Sequence, residues 1–281
     1  MSAGTPVIMP FHHAASGTCS YLVSDPGSHR AAIIDPVLDY DVGSGRIATH
    51  SADALLAALR ARGDTLEWIC ETHAHADHLT AAAYLKGKAG GRVAIGAGIR
   101  DVQREFAPRL GFGPEFPTDG SQFDHLFAGG ERFNIGTLEA RVLAMPGHTG
   151  DSLAYLVGDA AFVGDTLFLP QAGTARTDFP GGNAGRLYDS IQQLYALPGS
   201  TRLFMCHVYT EQGQAPQFES PLDAQRQGNI HLRADTSRDA YIALRTARDR
   251  TLAAPALMIT ALRVNICAGA LDGALNPEQN E

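Results

Sequence analysis

The four cysteines of this chain, Cys19, Cys70, Cys206 and Cys267, are scattered, and no two of them form a CxxC pair. That spacing excludes a zinc knuckle and a disulfide framework. Long apolar runs are also missing. Stretches such as Ala253–Ile259 fall far short of the roughly 20 residues that span a bilayer, so no membrane association is expected. Positive charge is scarce: Lys and Arg number 22 against 30 Asp and Glu, for a formal net charge of −8 and no basic run. Non-specific binding to nucleic acid needs clustered cations and is therefore not expected. Met1–Pro10 carries no basic segment ahead of an apolar core, so the expected location is the cytoplasm, with its thiols reduced. The residue present in surplus is histidine, with 11 in 281 positions.

Alternating strand and helix patterns run along the chain. Strands are predicted at Tyr21–Val23, Ala31–Ile34, Leu66–Cys70, Arg92–Ile95, Leu138–Leu143, Leu153–Val157, Ala161–Val163 and Arg202–Met205. Helices are predicted at Ser51–Arg62, Thr80–Lys88, Asp101–Phe106, Leu187–Leu197, Ser237–Thr251 and Pro255–Leu262, with Ser51 as N-cap and Gly63 as stop for the first. Gln212–Pro221 reads as a loop. With no repeat and no linker visible, residues 1–281 read as a single α/β domain in which 222–281 form a helical appendage.

Thr72-His73-Ala74-His75-Ala76-Asp77-His78 places three imidazoles and a carboxylate within six residues of one another, directly after a predicted strand. A tight turn would bring His73 and His75 to one side, with Asp77 and His78 opening the next helix. Imidazole and carboxylate suit divalent zinc, iron and manganese. Packing four such groups together is costly without an ion. Three further residues follow predicted strands: His148 in Met145–Gly150, Asp165 in Gly164-Asp165-Thr166, and His207 after Cys206. Each alone is unremarkable. Their order behind the first cluster is what carries information.

With these residues the chain resembles the metallo-β-lactamase-fold superfamily, whose HxHxDH motif is met by His73, His75, Asp77 and His78. The superfamily's later His, Asp and His match His148, Asp165 and His207. The resemblance runs from about Gly17 to about His207. It implies an αββα four-layer sandwich with a metal site at one edge of two sheets. Two chemistries follow from it. In a glyoxalase II-type thioester hydrolase (hydroxyacylglutathione hydrolase), two Zn(II) per chain would be held by His73, His75 and His148 and by Asp77, His78 and His207, bridged by Asp165. In a persulfide dioxygenase, one Fe(II) per chain would be held by His73, His148 and Asp165, with Asp77, His78 and His207 around it in catalytic support.

The segments His75–Thr80, Asp165–Phe168 and Ala175–Gly182 are similar to the persulfide dioxygenase family, closest to its bacterial β-lactamase-like hydrolase branch. Gln225–Asn229 and Val264–Ile266 are similar to the same branch. The reaction this implies is oxidation of glutathione persulfide by O2 to sulfite and glutathione. Arg176, paired with Asp178, is expected beside the site. Arg226 and Asn229 are expected on the glutathione carboxylates, since Arg suits bidentate recognition, and Tyr209 within reach of substrate. The resemblance also suggests a homodimer. A metal-binding protein without catalysis is the remaining reading, although no ligand of the set is lost. His12 and His13 are expected as an exposed pair, Cys70 and Cys206 as buried small hydrophobes, and Trp68 as a core anchor. His29, His50, His125 and His231 receive no role.

Overall fold

A computed structural model of the chain describes residues 4–208 and 215–272. In chain order the elements are β1 (Val7–His13), β2 (Thr18–Asp25), β3 (Arg30–Ile34), β4 (Val37–Asp41), β5 (Arg46–Ala48), α1 (His50–Arg62), β6 (Thr65–Cys70), β7 (Leu79–Thr80), α2 (Ala82–Ala89), β8 (Arg92–Gly96) and α3 (Ile99–Phe106). There follow β9 (His125–Phe127), β10 (Arg132–Ile135), β11 (Leu138–Ala144), β12 (Leu153–Val157), β13 (Ala160–Phe162), α4 (Ala184–Tyr195), β14 (Arg202–Phe204), β15 (Glu219–Pro221), α5 (Leu222–Gly228), α6 (Arg238–Asp249) and α7 (Met258–Asn265). One six-stranded sheet has the order β1-β2-β3-β6-β8-β9 and the other β10-β11-β12-β13-β14-β15; β5-β4-β7 form a small third sheet.

The strand period of two builds the layers. On β2, Cys19, Tyr21 and Val23 join Tyr155, Phe162 and Leu203 of the second sheet in the core between the sheets. Leu22, between them, points the other way, into a second core with Leu55, Leu56 and Leu59 of α1, Leu85 of α2 and Leu262 of α7. On β6 the phase shifts once. Ala31 pairs with Leu66 but Ala32 with Trp68, so Glu67 is the extra residue of a bulge. Leu66 therefore enters the outer core and Trp68 the inner one. Leu187, Ile191 and Leu194 of α4 extend the inner core beyond the second sheet. The result is an αββα sandwich. Truncating a stripe residue such as Leu55 to Ala would cost about 2–5 kcal/mol.

Helix signals in the sequence translate well. Gly63 ends α1 at φ 68, and Ser237 accepts a hydrogen bond from the Ala240 amide at the start of α6. Ser51, expected as an N-cap, instead donates its hydroxyl to Asp39 at 2.7 Å, and α1 begins at His50. The predicted loop at Gln212–Pro221 ends in the short strand β15, which pairs with β14; Gln212–Gln214 lie outside the described residues. Asp77 and His78 do not open a helix. The chain first forms β7, and α2 starts at Ala82. From residue 222 onward α5 packs on β15, α6 on α4 and α7 on β7. Among the described residues no helix is long and apolar enough to cross a membrane.

Candidate metal centre

All seven candidate ligands lie just beyond the C-terminal ends of strands: His73, His75, Asp77 and His78 after β6, His148 after β11, Asp165 after β13 and His207 after β14. Two glycines permit the close approach of these loops. A side chain on Gly164 (φ 50) would meet Thr72 Oγ1 at 2.7 Å, and one on Gly147 (φ 150) would meet the backbone of Leu187 at 2.3 Å. Backbone contacts tie the loops together. The Leu153 amide bonds the Thr72 carbonyl at 2.8 Å, and Asp151 accepts the Ala74 amide at 2.8 Å. From α7, the Asn265 amide nitrogen donates to the carbonyls of both His75 and His78 at 2.8 Å.

His73, His148 and Asp165 each offer one ligand atom within 4.8 Å of the others, and all three residues are buried. His75, Asp77 and His78 form a second such group. Asp165 stands between the two sides. Its Oδ2 lies 3.6 Å from His148 Nε2 and its Oδ1 lies 3.3 Å from His207 Nε2. His207 Nε2 is also 3.4 Å from Asp77 Oδ2.

Hydrogen bonds behind the rings set their tautomers. His148 Nδ1 donates to the Arg176 carbonyl at 2.8 Å, leaving the Nε2 lone pair toward Asp165. Thr72 Oγ1 gives its proton to Asp35 at 2.9 Å. It therefore accepts from His73 Nδ1 at 3.0 Å, which frees His73 Nε2. His75 Nε2 faces Asp35 Oδ1 at 3.0 Å, so Nδ1 is the free nitrogen of that ring. That Nδ1 and His78 Nε2 are wholly buried and have no hydrogen-bond partner among the described residues. An unsatisfied buried polar atom costs about 1–3 kcal/mol. Coordination of a divalent ion would use both lone pairs, so this donor set fits a metal.

The charges agree. Burial and the neighbouring His75 hold His73 well below the usual imidazole range, and burial and His78 do the same to His75. Neutral rings are what a metal needs. Burial opposes ionisation of Asp77 and Asp165, but His207 and its fellow imidazoles outweigh it and lower both.

Beside the ligands opens a cavity of about 550 Å³ lined by Asp77, His148, Asp165 and His207 and, toward solvent, by Arg176, Arg248 and Leu252. Arg176 forms the expected two-pronged pair with Asp178, at 2.7 Å for both contacts. Its third nitrogen holds the Ala253 carbonyl. Arg245, also in the lining, is committed to Asp249 and the Thr174 carbonyl. Arg248 is exposed and has no ion pair among the described residues.

Two residues expected on the substrate lie elsewhere. Arg226 does not line the cavity. It bonds the carbonyls of Tyr195 and Leu197 at the end of α4 and Asp223, because a guanidinium there satisfies carbonyls that the helix leaves unpaired. Asn229 is buried and spends its amide on Gly173, Gln225, His231 and Leu232. It thereby holds His231, a cavity-lining ring missed in the sequence; burial and Arg245 lower its pKa to about 4. Tyr209 lies outside the described residues. His12 and His13 are half-buried on β1 rather than an exposed pair. Trp68, Cys70 and Cys206 are core residues, as expected.

Asp35 is the main supporting residue that sequence reasoning passed over. Besides His75 and the Thr72 hydroxyl, it accepts the Thr72 amide at 2.7 Å, all in the core. An Asp before Pro36 at a strand end reads as a turn residue, and nothing local distinguishes it.

Residues 15–207 match the metallo-beta-lactamase superfamily. The chain is 50% identical over 279 residues to a beta-lactamase hydrolase-like protein of Agrobacterium fabrum, covering 99% of this chain and 64% of that one. It thus spans under two thirds of the length of that relative. Identity to glyoxylase B2 of Dictyostelium discoideum is 42%, over 93% of this chain and 90% of that protein. Among solved structures, ETHE1 from Myxococcus xanthus superposes with a TM-score of 0.75 at 29% identity, covering 94% of this chain and 100% of that one.

Proposed function

Given that the chain belongs to the metallo-beta-lactamase superfamily, we propose that it is a persulfide dioxygenase, oxidising glutathione persulfide with O2 to sulfite and glutathione at a single ferrous ion. One observation carries this reading: His73, His148 and Asp165 meet as one buried group of two imidazoles and one carboxylate. A ferrous ion held by that triad would supply open coordination positions for dioxygen and for the terminal sulfur of the substrate. Likeness of Asp165–Phe168 and Ala175–Gly182 to the persulfide dioxygenase family supports it further.

The residues of the chain would then divide the work. Thr72 and the Arg176 carbonyl fix the tautomers of His73 and His148. Asp77 and His207, 3.4 Å apart, hold polar groups next to the reacting sulfur. Phe168 and Phe179 line the cavity and give it apolar wall. Arg248, the one cavity-lining guanidinium among the described residues without a carboxylate partner, receives a carboxylate of glutathione.

A second reading is a binuclear thioester hydrolase. It is favoured by the free nitrogens of His75 and His78, by the two-sided placement of Asp165, and by the likeness to glyoxylase B2. Purification without added metal, followed by iron and zinc counting and oxygen-uptake assays with glutathione persulfide, separates the two. One iron per chain with oxygen uptake is expected. Two zinc ions, rapid hydrolysis of a glutathione thioester and no oxygen uptake would overturn the dioxygenase reading.

A further inference from the structure

A file of hydroxyls leads from the metal centre to His13. Thr18 Oγ1, fully buried, lies 3.3 Å from both Asp77 Oδ2 and His78 Nδ1. Ser16 Oγ is 2.7 Å from Thr18 Oγ1, and His13 Nδ1 is 2.7 Å from Ser16 Oγ. On the far side of the ring, His13 Nε2 is 3.6 Å from Asp39 Oδ1, and Ser51 fixes Asp39 through its amide and hydroxyl. The turn between β1 and β2 keeps this spacing, with Gly17 at φ 72 and its amide on the His13 carbonyl at 2.8 Å. Ser16 lines the cavity of the metal centre, whereas His13 lines a different one of about 260 Å³, together with His12, His50 and Ser51.

The file can be polarised in either direction. In one, Thr18 donates to Asp77, Ser16 to Thr18, and His13 Nδ1–H to Ser16. In the other, His13 Nδ1 accepts from the Ser16 hydroxyl and also from the Ser16 amide at 3.3 Å, Ser16 accepts from Thr18, and Thr18 accepts from the centre. A chain of hydroxyls that is satisfied in both senses moves a proton when it switches between them.

We propose that Thr18, Ser16 and His13 form a proton exit from the metal centre to the second cavity, used when substrate fills the first. The inference rests on the metal-centre reading above. Either chemistry releases protons at the centre. Persulfide oxidation, R–S–SH + O2 + H2O → R–SH + SO3²⁻ + 2 H⁺, breaks the S–S bond, transfers four electrons from the persulfide to dioxygen and leaves two protons. Thioester hydrolysis, R–CO–SR′ + H2O → R–COO⁻ + R′–SH + H⁺, leaves one. Burial lowers the pKa of His13 against the pull of Asp39, so the ring is neutral near pH 7 and can take up the proton. The ionisable groups that face it are Asp39 from β4, His12 from β1, and Asp77 and His78 from the ligand loop; His50 of α1 shares its cavity.

The test compares wild type with His13→Gln, His13→Ala and Ser16→Ala, each as metal-loaded protein. All three should keep their metal, and the two His13 variants should keep their KM. Turnover should fall about tenfold, less than the 10²–10⁴-fold of a group that acts directly on substrate, because water replaces part of the path. The solvent isotope effect on kcat should rise in each variant. The acid limb of the kcat–pH profile should change shape below about pH 6.5, because burial lowers the His13 imidazole from its ordinary value. Added imidazole should restore His13→Ala. Independently of turnover, nitrogen NMR of the His13 ring should show an altered Nδ1 in Ser16→Ala. Turnover within twofold of wild type, loss of metal from the variants, or a loss that imidazole and pH leave untouched would overturn the exit. If wild type hydrolyses thioesters and takes up no oxygen, the dioxygenase reading fails, while the same variants still test the exit on hydrolysis.

Discussion

At the floor of the cavity, His148 and Asp165, with His73 grouped beside them, sit on loops that the core holds from behind, through Asp35, Thr72, Asp151, Asn265 and the Arg176 carbonyl. At the mouth, Arg248, Leu252 and Ile230 stand on outer surface, and both apolar side chains are more than 40% exposed. The floor is pre-organised by these bonds. The mouth has few committed hydrogen bonds, and its groups are free to adapt to the tail of a substrate. On the proposed reading, chemistry would be set by the buried polar networks of the floor, and substrate choice by the less committed side chains of the mouth.

Substitutions ranked by depth test this contrast. His148→Ala removes a floor ligand and should abolish metal retention and lower turnover by more than about 10³-fold, read by metal counting and oxygen uptake. Retained turnover would reject the ligand set. Asp35→Asn touches no substrate, yet it removes the anion that orients His75 and Thr72. A loss of about 10- to 100-fold in metal affinity is expected, measured by competition with a chelator. At the mouth, Arg248→Ala should raise KM for glutathione persulfide about tenfold and leave kcat unchanged, as for a contact made equally in ground and transition states. The smallest effect belongs to Arg226→Ala. KM should stay within about twofold, and unfolding in urea should show a loss of about 1 kcal/mol from the α4 carbonyls it bonds.

The same contrast explains which features are legible in the sequence alone. His73, His75, Asp77 and His78 are legible because four metal-binding groups fall within six residues, and no structural demand alone produces that spacing. The inner and outer cores follow from alternation on strands such as β2 and from the Leu55–Leu59 stripe of α1. Arg248 is not legible: on α6 it looks like Arg250, and only tertiary packing sets one of them at the cavity. Arg226 misleads for a related reason, since a guanidinium that would suit a carboxylate also suits the carbonyls at a helix end. β1 escaped because its apolar residues are interrupted by Pro10 and by the His12-His13 pair, and β7 is only two residues long.

The hydrogen bonds from Asn265 to the His75 and His78 carbonyls span 190 and 187 positions of sequence. During synthesis at about 5–20 residues per second, the ligand loop therefore waits roughly 10–40 s for the residue that clamps it. For that interval the loop is held by partners made earlier, such as Leu153 on the Thr72 carbonyl and Asp151 on the Ala74 amide. Until α7, the last helix among the described residues, has been made, the ligand loop lacks the clamp that ties the His75 and His78 carbonyls to distant sequence.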